Sequence, residues 1–345
     1  MKRLVMMACI GALALAAVAA LPPPSPAADL QVPAADRRGG EQTYLTFPEW
    51  FLVFSPAEYA DWLQHHAPAR FPFFRHIGQF WSAYGHVIEA TRGRYPFNGG
   101  YHVMVCVIGA STTIEYSIKG AYDTLVGRLS QLGLPANATP EDRLAARVEQ
   151  DYVRFIRVEP WYKFDFATPL ERLWKDTPWW GAHPLRKWER RYALTTEWSV
   201  KAVYGWLLGK ATHEAYAAQK PTTIVVVRNL PAANLPADVE RLRHTGNEDL
   251  LALPRYQAFT AASIALAKRG AQFVDIAGNR DAILVSIVAP ASMQVPRDAP
   301  VLFTQPIITR PGWQRIVLQV PVARLSAVLN RPAGTPGAIE HVFDY

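Results

Sequence analysis

The stretch PTTIVVVR, residues 221–228, separates two parts of the chain that have different sequence patterns. Pro221 has no backbone N–H to donate, so it ends the helical periodicity that comes before it. The six residues that follow it are all β-branched, and such residues favour extended strands. The sequence therefore predicts an α+β protein, with a helical bundle before this stretch and a smaller strand-containing unit after it.

The first part, residues 43–220, shows the spacing of amphipathic helices. Apolar residues recur at helical spacing near 74–92, 100–132, 140–157 and 183–218. Three further motifs have the pattern of a helix start, with a hydroxyl residue, a proline and then an acid: Ser55-Pro56-Ala57-Glu58, Thr139-Pro140-Glu141-Asp142 and Thr168-Pro169-Leu170-Glu171. We predict that residues 43–220 form one helical bundle domain.

The second part, residues 221–345, shows short strand-like runs with turn signals between them. After the strand at 222–228 and a polar connection, the pattern predicts a helix near 255–269, a hairpin of strands 272–277 and 282–289, a second hairpin of strands 301–309 and 315–320, a helix near 322–330 and a last strand at 339–345. This order resembles a ferredoxin-like β-α-β-β-α-β sandwich with an added hairpin. We therefore predict a ferredoxin-like α+β domain.

The N-terminus has the pattern of an export signal. Lys2 and Arg3 precede an uncharged stretch at 4–21, and small residues follow before the first acid. We predict that residues 1–28 are a signal peptide or a membrane anchor, because 18 apolar residues are just enough to span a bilayer. The protein is thus expected to be exported, and to be periplasmic or anchored to the inner membrane by residues 4–21. Residues 29–42, which are charged and glycine-rich, are predicted to be a linker.

The net charge of +7 is spread along the chain: the N-terminal signal contributes +2, residues 29–220 contribute +2 and residues 221–345 contribute +3. Neither part has the dense basic excess of a nucleic-acid-binding protein, so nucleic acid is not a predicted partner. The chain lacks a P-loop, a dinucleotide-binding glycine motif and a nucleophile-elbow serine, which disfavours the common nucleotide-binding and hydrolase classes. The sequence suggests no metal site and does not identify a cofactor.

Two segments of the helical part resemble each other at a constant offset of 82 residues. The first is EYSIKGAYDTLVGR, residues 115–128, and the second is EWSVKAVYGWLLGK, residues 197–210. Six of the 14 positions are identical, and three of these carry side chains that could take part in chemistry: Glu115 and Glu197, Lys119 and Lys201, and Tyr122 and Tyr204. This similarity marks the best candidate site in the sequence.

The orientation of these two helices decides what the repeated residues could do. In the first helix one apolar stripe is expected to face the core: Met104, Ile108, Ile114, Ile118, Tyr122, Leu125 and Leu129. At 100° per residue, the glutamate and tyrosine of each segment then lie on the inner side, and the lysine lies on the flank.

Two interpretations of the paired segments follow. In the first, Glu115 and Glu197 share a pocket and act as a catalytic acid/base pair. The remaining repeated residues would then bind the substrate: Lys119, Lys201, Tyr122 and Tyr204. In the second, each glutamate pairs only with the lysine of its own helix, and the role is structural.

The region from 161 to 206 combines tryptophan with basic residues. It holds seven of the 11 tryptophans of the chain and a basic cluster: Arg186, Lys187, Arg190 and Arg191. Because tryptophan beside arginine and lysine is typical of a membrane interface, Arg186 and Arg190 are predicted to bind anionic lipid. The alternative is that the tryptophans only pack and that the basic cluster is a solvated helix start.

These patterns lead to two functional hypotheses. The first is a non-enzymatic, exported envelope protein that acts near the periplasmic membrane face and binds an anionic lipid, another apolar ligand or a protein partner. The second is an acid/base enzyme that uses the paired glutamates. A pocket between the two similar helices would favour the enzyme, and glutamates bonded only to their own lysines would favour a binding or structural role.

Overall fold

The computed structural model describes residues 29–215, 221–231, 235–293, 299–331 and 336–344. The predicted signal or anchor at 1–28 lies outside the described residues. Within the described ranges, no helix has both the length and the apolar character that crossing a membrane requires.

Six helices form the first part of the described chain: α1 Gln42–Trp62, α2 Phe73–Thr91, α3 Gly99–Tyr122, α4 Pro140–Ile156, α5 Ala167–Lys175 and α6 Pro184–Ala215. Helix α3 continues through a π-helical turn at Asp123–Gly127 and a short turn at Arg128–Ser130. The four helices predicted from apolar spacing are thus confirmed as α2, α3, α4 and α6.

The predicted helix starts have three different outcomes. Thr139 does cap α4, because its Oγ1 accepts from the Asp142 N–H at 3.2 Å and the Asp142 carboxylate accepts from the Thr139 N–H at 3.2 Å. Helix α5 begins at Ala167, so Thr168 is not its cap, and the carboxylate of Asp165 accepts from the N–H groups of Ala167 and Thr168 at 3.0 and 3.2 Å. The start predicted at Ser55 is wrong, since Ser55 lies inside α1 and its hydroxyl bonds the ring of His76 at 2.8 Å.

Eight strands and two helices form the second part: β1 Thr222–Arg228, β2 Glu240–Thr245, β3 Glu248–Pro254, α7 Gln257–Lys268, β4 Gln272–Ile276, β5 Ala282–Pro290, β6 Val301–Pro306, β7 Trp313–Pro321, α8 Leu325–Leu329 and β8 Ala338–Val342. The strands form two antiparallel sheets, sheet A in the order β2-β3-β1-β4 and sheet B in the order β6-β7-β5-β8. The predicted α+β class, with helices before strands, is confirmed.

Both sheets are built in the same way along the chain: a central strand, a hairpin, a helix, and a last strand that pairs with the central one. The pairing of central and last strands is interrupted at equivalent places, between Val226 and Val227 in sheet A and between Ser286 and Ile287 in sheet B. One face of each sheet joins α7 and α8 in a single hydrophobic core. This arrangement of two sheets differs from the one sheet of a ferredoxin-like sandwich.

The sequence predicts the positions of most strands correctly but two of the hairpins wrongly. Strands β4 and β5, predicted to form a hairpin around Gly278–Asp281, belong to different sheets, and the turn between them connects sheet A to sheet B. The sequence predicts a polar connection where the structure has the hairpin of β2 and β3. The strand β2 was missed because it is a largely exposed edge strand, and its charged residues hide the strand pattern. The hairpin of β6 and β7 around Arg310-Pro311-Gly312 is confirmed.

Residues of the predicted linker at 29–42 pack against sheet A. Leu30 and Val32 are buried over Ile224 and Leu250 on the outer face of the sheet. The outer face of sheet B is covered by α1, whose aromatic side chains share a core with Phe343. The helical part and sheet B therefore share one hydrophobic cluster, in addition to the clusters that each part has of its own.

Helix α1 also holds a glutamate whose ionisation should make stability depend on pH. Burial raises the pKa of Glu49 to about 7, although a hydrogen bond from Tyr101 and the charge of Arg255 act in the opposite direction. An acid with a raised pKa stabilises the fold while it is protonated, and this stabilisation is lost as pH rises through the folded-state value. We expect Glu49 to contribute a loss of stability between about pH 4.5 and pH 7, and Glu49→Gln to make stability fall by about 3 kcal/mol less over this range.

Urea unfolding of both proteins at the two ends of this pH range measures the effect. Glu89→Gln, a change at an exposed position on α2, is the matched control and should leave the pH dependence as it is. Burial likewise raises the pKa of Asp344 to about 7, so part of the pH dependence should remain in Glu49→Gln. An unchanged pH dependence in Glu49→Gln would contradict the prediction.

Candidate functional site

Helices α3 and α6, which carry the two similar segments, run antiparallel beside each other. As residue numbers rise along α3 and its extension, the numbers of their partners in α6 fall: Glu115 with Lys201, Lys119 with Glu197, Asp123 with Arg190 and Ser130 with Arg186. The structure thus brings the two segments together, as the first interpretation of the sequence requires.

The four charged residues of the two segments form one cluster with crosswise pairing. Lys119 Nζ donates to Glu197 Oε1 at 2.9 Å, and Lys201 Nζ donates to the same oxygen at 3.0 Å. Lys201 Nζ also lies 2.9 Å from Glu115 Oε1. Each helix therefore neutralises charges of the other, and Glu197 is held by both lysines.

Aromatic rings and a fifth charged residue enclose this four-charge cluster. Lys119 Nζ lies 4.7 Å from the ring centre of Tyr59, and Lys201 Nζ lies 5.4 Å from that of Tyr152. Burial alone would raise the pKa of Glu197, but Lys119 and Lys201 lower it far below its usual range. Burial also raises the pKa of Glu149, which lies near both lysines. Glu197 is thus a permanently charged ion-pair partner and a poor proton acceptor.

The space beside the cluster is small. A cavity of about 40 Å³ lies among Ser55, Glu115, Lys119, Glu149 and Lys201. This volume has room for a water molecule but not for an organic substrate between the two glutamates. The geometry therefore fits an ion-pair cluster that joins α3 to α6.

Tyr122 and Tyr204, predicted to bind substrate, do not line this cavity. The Tyr122 ring packs at 6.2 Å from the ring of Tyr192, and the Tyr204 ring packs at 5.5 Å from that of Trp161. Both lie away from the cluster because the predicted inner stripe of α3 in fact faces outward. Three other tyrosines lie beside the cluster: Tyr59 from α1, Tyr116 from α3 and Tyr152 from α4. The sequence analysis did not identify them, because none of them is one of the identical residues of the two segments.

Arg186 and Arg190, predicted to bind anionic lipid, are buried among carboxylates. Arg186 donates to Asp142 Oδ1 at 2.7 Å and to Glu189 Oε2 at 2.9 Å, and Arg190 Nε lies 3.5 Å from Asp142 Oδ1. These guanidinium groups cannot meet a lipid phosphate in this structure. The sequence did not reveal this, because Asp142 is contributed by α4, more than forty residues away.

The predicted core stripe of α3 is exposed instead of buried. Ile118 and Leu125 are 65% and 69% exposed, and the residues that face the body are mostly smaller: Val105, Gly109, Thr112, Tyr116 and Gly120. A Cβ at Gly109 would collide with the Phe80 ring of α2. Small residues let α2 approach closely, so the narrow face of α3 is buried and its bulky apolar face remains outside.

Helix α6 presents a matching exposed stripe. Val200, Val203 and Leu207 are at least half exposed, whereas Trp198 is buried. The two segments place equivalent residues in the same order along the helix. Each has an aromatic residue that faces the body, then an exposed aliphatic residue, then a lysine that faces the partner helix. Both stripes therefore lie on the side away from the body. We name the combined surface the apolar face, and it comprises Ile114, Ile118, Leu125 and Leu129 from α3 and its extension, and Tyr192, Val200, Val203 and Leu207 from α6.

Comparisons with protein-family models, with curated proteins and with solved structures find no match to this chain. The functional proposal therefore rests on the chain's own residues and their geometry.

Proposed function

We propose that this protein is an exported accessory or binding protein whose apolar face lies in the interfacial layer of a lipid bilayer. The single observation that supports this most is the apolar face itself, where large aliphatic side chains of two neighbouring helices point together into solvent. Contiguous exposed apolar surface of this kind marks an interaction site. Three features favour a bilayer as the occupant.

The first feature is the straightness of the stripe on α3. Its exposed positions recur with spacings of four, three and four residues: Val103, Val107, Ala110, Ile114, Ile118, Ala121, Leu125, Leu129 and Leu132. From Val103 to Ala121, within the regular part of α3, this 11-residue repeat keeps the stripe nearly parallel to the helix axis over roughly 27 Å. A long straight stripe suits a flat surface, whereas a coiled-coil partner would favour a seven-residue repeat.

The second feature is that the charged residues in the central parts of the two helices are all paired. Between residues 103 and 127 the charged residues are Glu115, Lys119 and Asp123, and between 192 and 209 they are Glu197 and Lys201. All five take part in ion pairs between α3 and α6. Paired charges are what an apolar environment requires.

The third feature is the exposed tryptophan near both ends of α6. Trp179, Trp180 and Trp206 are more than half exposed, and Lys210 Nζ lies 4.0 Å from the ring centre of Trp206. Exposed tryptophan with a nearby cation suits the headgroup layer of a membrane. Since the opposite side of the pair packs on the body, the helices would lie along the membrane surface instead of crossing it.

No observation favours the alternative of a paired-glutamate enzyme. Glu115 and Glu197 do meet through Lys201, but the adjoining space is too small for an organic substrate, and Glu197 is bonded to two ammonium groups. The four-charge cluster supports the membrane proposal instead, because it holds the two exposed stripes side by side.

Charged substitutions in the apolar face are expected to weaken membrane binding. Ile118→Asp with Leu125→Asp should lower the partition coefficient onto phosphatidylcholine–phosphatidylglycerol vesicles by at least ~10-fold, because carboxylates would have to enter lipid. Vesicle flotation of the purified full-length protein measures this. Every protein compared would also carry Leu13→Asp and Leu15→Asp, which remove any contribution of the apolar stretch at 4–21.

The matched control is Leu242→Asp, a change at an exposed apolar residue on the edge strand β2, which should bind vesicles as the parent protein does. The membrane proposal is wrong if the parent protein does not float with vesicles above background. It is equally wrong if the variant with two changes in the apolar face floats as well as the parent.

A further inference from the structure

A cavity of about 430 Å³ lies between the second half of α1 and the strands β5, β7 and β8 of sheet B. Its α1 wall includes Phe54, Glu58 and Trp62, on a different side of that helix from Ser55 and Tyr59 of the four-charge cluster. The volume lies within the range of pockets that bind small molecules. The cavity is thus separate from the surface proposed to meet the membrane.

The inner wall of this cavity holds two carboxyl groups and only one cation. The buried guanidinium of Arg315 donates to Glu340 through Nε at 2.6 Å and through Nη2 at 2.8 Å, and Nη2 lies 3.4 Å from Glu58 Oε1. One cation therefore serves two carboxylates. His76 Nε2 lies 3.7 Å from Glu58 Oε2, but burial lowers the pKa of His76 to about 3, so it is neutral and adds no positive charge.

The rim of the cavity has the opposite character. Arg157 and Arg310 are both exposed there and face one exposed carboxylate, that of Asp61. The guanidinium of Arg310 is held over the ring of Trp313, at 3.4 Å from the ring centre. The cavity therefore has an excess of carboxyl groups inside and an excess of guanidinium groups at the mouth.

We propose that this cavity binds a small zwitterion whose ammonium group contacts Glu58 and whose anionic group contacts Arg157 and Arg310. Burial raises the pKa of Glu58, and an ammonium ligand beside it would favour the charged carboxylate. Phe54 and Trp62 provide an apolar wall for the short chain between the two charged groups. The ligand class is an amine joined by a few carbons to a phosphate or carboxylate.

Isothermal titration calorimetry of the full-length protein tests this with three probes: O-phosphoethanolamine, ethanolamine and inorganic phosphate. O-phosphoethanolamine should bind at least ~10-fold more tightly than either half of it, because only the zwitterion meets both charged regions. Competition with vesicles that contain phosphatidylethanolamine distinguishes the source: displacement would identify a lipid headgroup, and no displacement would identify a soluble ligand.

Two variants assign the contacts. Glu58→Gln should weaken the binding of O-phosphoethanolamine and ethanolamine about tenfold, and Arg310→Gln should weaken that of O-phosphoethanolamine and phosphate. Arg310 is exposed, so its replacement keeps the test valid even if Glu58→Gln disturbs folding. The control is Arg269→Gln, at an exposed position directly after α7. The proposal is overturned if O-phosphoethanolamine does not bind, if it binds no better than its halves, or if Arg310→Gln binds it as the parent does.

Discussion

Replacement of Glu141 by glutamine is expected to lower the free energy of unfolding by about 3–5 kcal/mol. The Glu141 side chain is fully buried, and it accepts hydrogen bonds from Lys187 Nζ at 2.9 and 3.0 Å and from Arg191 Nη2 at 2.9 Å. Both cations are buried as well, so the amide would leave two charges without a counter-ion. Glutamine has nearly the same volume, and the loss would therefore come from charge and not from a cavity.

Urea unfolding followed by tryptophan fluorescence measures this loss. Arg191 lies 5.2–5.4 Å from the ring centres of three tryptophans, so the fluorescence should report on the altered site itself: Trp174, Trp179 and Trp188. Asp151→Asn on the same helix is the control, because Asp151 belongs to an exposed ion pair and should matter by ~0.5 kcal/mol or less. Equal losses in the two variants would show that the buried network does not hold α4 and α6 together.

Replacement of Glu197 by glutamine is expected to lower the free energy of unfolding by about 3 kcal/mol. Glu197 is mostly buried, and its Oε1 accepts from both Lys119 and Lys201. Glu115 is 42% exposed and pairs with Lys201 only, so Glu115→Gln should change the free energy of unfolding by at most ~1 kcal/mol.

The double variant tests whether the cluster is a shared one. In each single variant, Lys201 keeps one of its two glutamate partners. In the double variant it has neither Glu115 nor Glu197. The combined loss should therefore exceed the sum of the single losses by ~0.5–1 kcal/mol in a double-mutant cycle. Losses that add to within error would contradict the crosswise pairing of α3 and α6.

The four-charge cluster also shows why the two segments resemble each other. Antiparallel helices with the same sequence place glutamate opposite lysine twice, so one pattern satisfies both helices. The same offsets put Ile118 and Val200 on the outer side, which extends the apolar face across both helices. The similarity of the two segments is therefore explained by their ion pairs and their shared surface. The cavity beside Glu58 is lined by residues outside both segments.

The sequence by itself determined the features that depend on neighbours along the chain. Six β-branched residues after Pro221 form β1, Thr139 and Asp142 cap α4, and Arg310-Pro311-Gly312 turns β6 into β7. Short-range chemistry fixes each of these, because a cap or a turn is completed within a few residues. Helical spacing left open whether Glu115 and Glu197 would come together, and in the structure they meet through Lys201.

Only the tertiary structure decided which sides of these elements are buried. An apolar stripe on a helix predicts contact with something apolar, but it does not say whether that is the core or another surface. Gly109 and Gly120 let α2 pack on the narrow side of α3, which leaves Ile118 outside. In the same way, the charge of Arg186 was neutralised by Asp142 from another helix, because ion pairs form between elements that only folding brings together.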